Sequence, residues 1–195
     1  MTLIYVERES HTSDARLVTP TVHLRNDTQV IAGANQPLIT RDGQTQDVID
    51  GRAFYAYKIH TSAATLADGA SIDIVVTSSA GVTVGIGFAA QCGGNAEIAI
   101  YENVTDIVGG TVFVPLNRNR ASAAVSTTGA LINPSSVTLG PVIYQDLILG
   151  GTTGNSAGAT VRGDYALLDD VSYLFRLTNT AGKSEVAELM VQWIE

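Results

Sequence analysis

At 195 residues with a net charge of −8, the chain is long enough for one sizeable domain and too acidic for a general nucleic-acid binder. Such binders need a basic stripe to displace counterions from phosphates, and the same acidity opposes docking on anionic lipid. Charged residues make up only 15% of the chain, well under the usual ~25%, and Ser, Thr, Asn and Gly fill the gap. That composition suits a surface that neighbours cover or that meets water through hydroxyls.

Residues 1–53 differ from the rest. They hold seven acidic and five basic residues, scattered Asn and Gln, and brief apolar clusters such as Leu3-Ile4-Tyr5-Val6. Glu7, Arg8 and Glu9 interrupt that first cluster, so a signal peptide is not expected. The segment reads either as an edge-strand pair or as an extended arm that orders against a partner. Synthesis in the cytoplasm is the expectation.

From Phe54 onward the chain is a succession of short period-two strands broken by turn residues. Strands are expected near 54–61, 71–78, 82–91, 95–102, 111–116, 135–149, 172–179 and 187–195. Val82, Val84, Ile86 and Phe88 alternate with Thr83, Gly85, Gly87 and Ala89, which places one apolar row on one sheet face. Tyr173, Phe175 and Leu177 repeat the pattern, and Leu189, Val191 and Trp193 make the last strand's inner face, with Trp193 as a core anchor. The uncharged stretch 74–96 alternates and holds Thr, Ser, Gly, Gln and Asn, so it reads as strands rather than a membrane helix. Eight strands with no helical segment between them predict an all-β fold, a jelly-roll-like antiparallel β-sandwich over 54–195 with an extended N-terminal arm over 1–53.

Segments 117–134 and 150–163 read as long loops. Between Ala121 and Val161 the only charge is Asp146, so these loops and the strands between them form a nearly neutral block that a neighbour can bury without stranding charges. Asn117, Arg118, Asn119 and Arg120 are the candidate contact residues, because their guanidiniums can meet carboxylates across an interface. Arg162 is a further candidate.

Motifs for chemistry fail on context. Gly154-Asn155-Ser156-Ala157-Gly158 fits the pattern of a nucleophile elbow, but its flanks are loop residues and all three histidines (His11, His23, His60) precede Ser156. Ala181-Gly182-Lys183-Ser184 lacks the first glycine of a phosphate loop, since position 177 is Leu177. Cys92 is the single cysteine, so no internal disulfide is possible, and its neighbours Phe88, Ala89 and Ala90 mark it as a core residue rather than a reactive thiol. Asp169-Asp170 reads as a solvated turn rather than a calcium site. No catalytic residue, metal or cofactor is expected.

The phrases Ala56-Tyr57-Lys58-Ile59-His60, Ala96-Glu97-Ile98-Ala99-Ile100-Tyr101-Glu102, Leu116-Asn117-Arg118-Asn119-Arg120 and Arg176-Leu177-Thr178-Asn179-Thr180-Ala181-Gly182, before a terminal strand ending in Trp193, carry a resemblance. Residues 54–195 resemble the head decoration (cement, or auxiliary capsid) proteins and related small virion proteins of tailed bacteriophages. The resemblance implies a non-enzymatic β-sandwich on the outer capsid surface, often trimeric, that clamps neighbouring major capsid subunits. The partners it implies are the major capsid protein and further copies of the chain, with no nucleic acid and no membrane, and the implied location is the virion. The competing readings are a carbohydrate- or receptor-binding sandwich, with Tyr101, Tyr144 and Tyr165 as sugar platforms, and a tail or baseplate protein. If residues 1–53 are a binding arm, deleting them abolishes capsid binding in a co-sedimentation assay while the sandwich stays folded; full retention of binding refutes the arm.

Overall fold

Alternating apolar and polar residues become two antiparallel sheets that share one core. The computed structural model describes residues 21–23, 29–31, 43–82, 84–150 and 164–195. The chain divides into two units, 1–46 and 47–195. In the first, β1 (Thr21–His23) pairs antiparallel with β2 (Gln29–Ile31).

Helix α1 (Gly43–Ile49) leads into the second unit. It ends because Gly51 takes φ +74°, which lets Gly51 N–H reach Val48 C=O and Arg52 N–H reach Asp47 C=O, the paired bonds of a glycine-terminated helix. The strands that follow are β3 (Ala53–His60), β4 (Ser71–Thr77), β5 (Gly85–Cys92) and β6 (Ala96–Glu102). Next come the short β7 (Thr105–Val108), β8 (Thr111–Phe113), β9 (Leu116–Asn117), β10 (Gly129–Ile132) and β11 (Ser136–Thr138). The chain closes with β12 (Val142–Ile148), β13 (Asp164–Ala166), β14 (Ser172–Asn179) and β15 (Ala187–Ile194).

One sheet runs β12-β6-β14-β4-β10-β8 and the other β13-β5-β15-β3-β9. The pairing is nested: β3 with β15, β4 with β14, β5 with β13, β6 with β12, each antiparallel. It is the ladder of one long hairpin, rolled so that β5 also meets β15 and β6 also meets β14. Consecutive long strands alternate between the two sheets, so each turn from β3 to β6 crosses the sandwich.

The core lies between the sheets. Ile72, Ile74 and Val76 of β4 meet Ile86, Phe88 and Ala90 of β5, with Phe175 and Leu177 beside Leu189, Val191 and Trp193. Phe88 contacts the rings of Tyr144 and Phe175, on two strands of the facing sheet, at 5.4 and 5.9 Å. Trp193 is 1% exposed and Cys92 is buried in the same core, as their apolar neighbours foretold. The six-stranded sheet is also covered on its outer face. There Val75 and Leu174 pack with Val104, Ile107, Leu131 and Val137, which explains why β4 and β14 are buried on both parities. Directly across that face, Arg176 forks onto Asp73 at 2.8 and 2.7 Å and lies over the Tyr101 ring.

The all-β reading holds, with corrections in detail. The expected strand at 111–116 is two, β8 and β9, because the chain crosses between sheets at Val114 and Pro115, and Pro115 has no N–H for a ladder. The expected strand at 135–149 breaks at Gly140-Pro141 into β11 and β12. Segment 117–134 is not one loop: it contains β10, which pairs with both β4 and β8. The helix α1 was not anticipated, since its seven residues are too few for a helical period to show.

Buried polar groups tie the connections down. Asn179 is wholly buried at the end of β14; its Nδ2 donates to Leu66 C=O and Lys183 C=O at 2.8 Å each, and its Oδ1 accepts from Ala181 N–H at 3.0 Å. Tyr173 Oη donates to Glu102 and accepts from Leu168 N–H. Replacing Asn179 with Ala removes three hydrogen bonds, one buried and two part-buried, so urea denaturation should show a loss of about 2–4 kcal/mol. A loss below about 0.5 kcal/mol would mean that water enters the turn.

Candidate interaction surface

Strands β6 and β12 are neighbours in the ladder, yet residues 103–140 separate them in sequence. The two ends of that excursion meet: Glu102 N–H donates to Pro141 C=O at 3.0 Å, and Val142 pairs with Tyr101. Gly140 sits so close to this junction that a Cβ there would stand 1.8 Å from Glu102 O. The excursion is an elaboration on a hairpin. It extends the six-stranded sheet with β10 and β8, the five-stranded sheet with β9, and lays the β7–β11 ribbon over the outer face.

This elaboration and the edge strand β12 carry most of the exposed apolar surface. Between positions 108 and 149 lie Val108, Val112, Val114, Val125 and Leu139, followed by Val142, Ile143, Leu147 and Leu149. Only four other large apolar side chains among the described residues are exposed: Ile49, Ile59, Leu168 and Val186. The same stretch contains three charges, Arg118, Arg120 and Asp146, for a net of +1 in a chain whose total is −8. The remaining residues therefore carry −9. An acidic protein has here a long segment whose exposed residues carry almost no charge.

Within this surface is a groove of about 410 Å³. Val75, Ile107, Val112, Val114 and Leu131 line it, and residues 126–128 form a hydroxyl-bearing rim. None of its lining residues is charged. Val112 and Val114 stand 77% and 70% exposed beside it, where burial by a partner returns the largest gain. At the opposite edge of the sheet, Asp146 turns back on its own strand. Its Oδ1 accepts from Leu147 N–H at 2.8 Å and its Oδ2 from Tyr144 Oη at 3.0 Å. Burial, reinforced by that carboxylate, holds the Tyr144 phenol at about 12, so it remains a donor. A charged side chain on an edge strand also discourages indiscriminate strand pairing.

The segment 117–128 crosses this face as a braced loop. Asn117 is buried, with Nδ2 donating to Gly51 C=O (2.8 Å) and Ala124 C=O (3.2 Å) and Oδ1 accepting from Asn119 N–H. Asn119 Nδ2 donates to Ile49 C=O, and its Oδ1 accepts from Ala121 N–H. The loop therefore rests on the turn that ends α1, where a Cβ on Gly51 would come 2.3 Å from Ser122 Oγ. Both asparagines are internal braces, which leaves Arg118 and Arg120 as the exposed members of the expected contact set. Arg118 reaches Gln192 Oε1 at 3.5 Å. Arg162 lies outside the described residues, as does Ser156.

The far end of the loop is held by Glu195, which sequence reading missed. Its Oε1 accepts from Ser126 Oγ, from Thr128 N–H at 3.0 Å and from Trp193 Nε1 at 3.1 Å. Its Oε2 accepts from Thr127 N–H at 3.0 Å and Thr127 Oγ1 at 3.1 Å. Burial by itself would raise this carboxyl, but the Ser126 hydroxyl and the Thr127 and Thr128 amides outweigh it and lower it to about 2. Nothing in the spacing of Glu195 and residues 126–128 signals the contact, because 67 residues separate the partners.

Among the described residues, several further titratable groups are held by their surroundings. Burial pushes the Cys92 thiol up, away from the thiolate. The His60 ring lies 3.1 Å from Ala64 O through Nδ1, and Asp169 Oδ1 accepts from Gly81 N–H in a turn where Asp170 takes φ +55°. Among the described residues no three His, Cys, Asp or Glu side chains are grouped to hold a metal ion. Tyr144 and Tyr165 pack edge to face on the core and Tyr101 sits beneath Arg176, so these rings are packed rather than offered as sugar platforms.

Comparison with protein-family models, with curated proteins and with solved structures finds no match to this chain.

The Glu195 site carries a pH signature. A carboxyl lowered in the folded state stabilises the fold above its unfolded value of 4.5, and that stabilisation disappears as pH falls toward about 2. The urea midpoint of the native chain should therefore fall more steeply between pH 4.5 and 2 than that of Glu195→Gln, which has no such proton to take up. Parallel midpoints in the two proteins would show that the carboxylate contributes nothing.

Proposed function

We propose that this chain is a non-enzymatic virion structural protein, a capsid decoration or cement protein that binds the outer face of a major capsid shell and stabilises it, with self-association into trimers. The observation that supports this reading most is that nine of the thirteen exposed large apolar side chains among the described residues fall in the nearly uncharged stretch 108–149, which supplies both edge strands, β8 and β12, of the six-stranded sheet. A standard stable interface buries about 800 Å² per partner, and a nearly uncharged stretch of this kind can be covered while desolvating few fixed charges. Cement function needs only modest free energy per contact, because symmetry and multivalency multiply it. We infer a jelly-roll topology for the eight strands β3–β6 and β12–β15, a reading that their nested pairing supports.

A second reading has its own observation. Tyr55 and Tyr57 stack at 6.0 Å, and Tyr57 meets Phe113 edge-on at 5.7 Å beside a groove of about 380 Å³ that Lys58, Thr111 and Asn133 also line. Aromatic rings next to amide, hydroxyl and ammonium groups are the chemistry of a saccharide site. A glycan array separates the two readings.

For the decoration reading, the double substitution Val112→Lys and Val114→Lys should weaken binding to purified shells at least ~10-fold in co-sedimentation. Both side chains are exposed, so the melting temperature should change by no more than about 2 °C. Undiminished shell binding would remove Val112 and Val114 from the interface, and no binding by the native chain would remove the function.

A further inference from the structure

The contacts at Glu195 have the composition of a receptor site. Five hydrogen bonds converge on one carboxylate from two consecutive backbone amides, two hydroxyls and an indole N–H. No cation joins them: among the described residues Glu195 makes no ion pair. The charge is held by oriented dipoles alone, as in the amide nests that bind anions. Trp193 and Thr128 are each 1% exposed, so their N–H groups act where water competes poorly, whereas the Thr127 pair lies at the surface. The Thr128 hydroxyl is buried there with no partner of its own.

We propose that residues 126–128 and Trp193 form a carboxylate-binding site, filled in the native chain by Glu195 and able to take a small monocarboxylate when that side chain is removed. The backbone determines this. The Thr127 and Thr128 amides are aimed by a tight turn in which Ser126 Oγ accepts from Thr128 N–H at 3.2 Å and lies 3.0 Å from Thr128 C=O, and the same Oγ accepts from Trp193 Nε1 at 3.1 Å. Trp193 is fixed by the core. Loss of the Glu195 side chain leaves the Thr127 amide and hydroxyl without their acceptor, while Thr128 N–H and Trp193 Nε1 keep Ser126 Oγ and stay aimed at the site, the situation in which a free ligand restores what truncation removed. Because the donors separate into one set for Oε1 and another for Oε2, the site selects a planar two-oxygen anion over a spherical one. Functionally, Glu195 is an internal ligand that ties the 118–128 loop, with Arg118, Arg120 and Val125, to the core strand β15. The inference stands on this geometry and does not depend on what the loop binds.

The chain's single tryptophan is part of the site, so fluorescence reads it directly. In full-length Glu195→Gly, the Trp193 emission should shift from the native position and the melting temperature should fall by roughly 4–8 °C. Sodium formate or acetate should restore the emission saturably and raise the melting temperature by roughly 2–4 °C more than sodium chloride at equal ionic strength. The native chain and Glu195→Gln, whose sites are filled, should show no such difference between the salts. Equal responses to acetate and chloride in Glu195→Gly overturn the proposal. So does a Glu195→Gly chain that stays unfolded in both salts, whereas one that folds only in acetate or formate supports it.

Discussion

Every long strand of this sandwich depends on a partner far away in sequence, and the nested antiparallel ladder is what makes those partnerships mutually consistent. Once β6 and β12 pair, each strand outward on the chain finds its mate in order: β5 with β13, β4 with β14, β3 with β15. Rolling the ladder lets β15 sit between β3 and β5 and β14 between β4 and β6, so the two innermost strands are also the last in the sequence. Loop-closure entropy grows only slowly with loop length, so such distant pairing is thermodynamically cheap, although it is slow to form. The cost falls on the connections, which give the core only a few side chains, such as Leu66, Val84 and Leu167, and must otherwise be held by polar contacts. Asn179, Ser78 and Tyr173 do this with hydrogen bonds to backbone groups of the crossing turns.

The same ladder decides where variation can be placed. A hairpin end is the one point where chain can be added without disturbing any register, and residues 103–140 leave and re-enter there. Added chain must still satisfy its own backbone, and it does so by extending both sheets and covering the outer face of β4 and β14. It thereby hides Val75 and Leu174 while leaving Val112, Val114 and Val125 exposed. A scaffold with its own core and an elaboration with apolar, uncharged surface are two different physical objects on one fold.

Two devices keep that surface in shape. The turn after α1, with Gly51 in the left-handed region, presents carbonyls to Asn117 and Asn119. The Glu195 carboxylate gathers the donors at the loop's other end. Between these anchors the loop displays Arg118 and Arg120 in fixed positions, so less side-chain and backbone freedom remains to be lost on association. The braced loop is the structural counterpart of the low charge: one reduces the entropic cost of contact, the other the desolvation cost.

The period-two alternation determined the class of fold and its core by itself, because burial on one sheet face is a local consequence of parity. Phe88, Phe175, Leu177, Leu189, Val191 and Trp193 sit where their parity put them. Parity says nothing about partners. Tertiary structure alone decided the nested order, the division of expected strands at Pro115 and Gly140, and the strand β10 inside an expected loop. It also assigned Asn117 and Asn119 bracing hydrogen bonds to the α1 turn and to their own loop, a role not legible beforehand because an asparagine in a loop has the same sequence signature whether it faces a partner or a carbonyl. Glu195 was invisible for the most general reason: apart from the Trp193 indole, its donors are backbone amides and hydroxyls 67 to 69 residues away, and such groups acquire a role only from where the fold brings them.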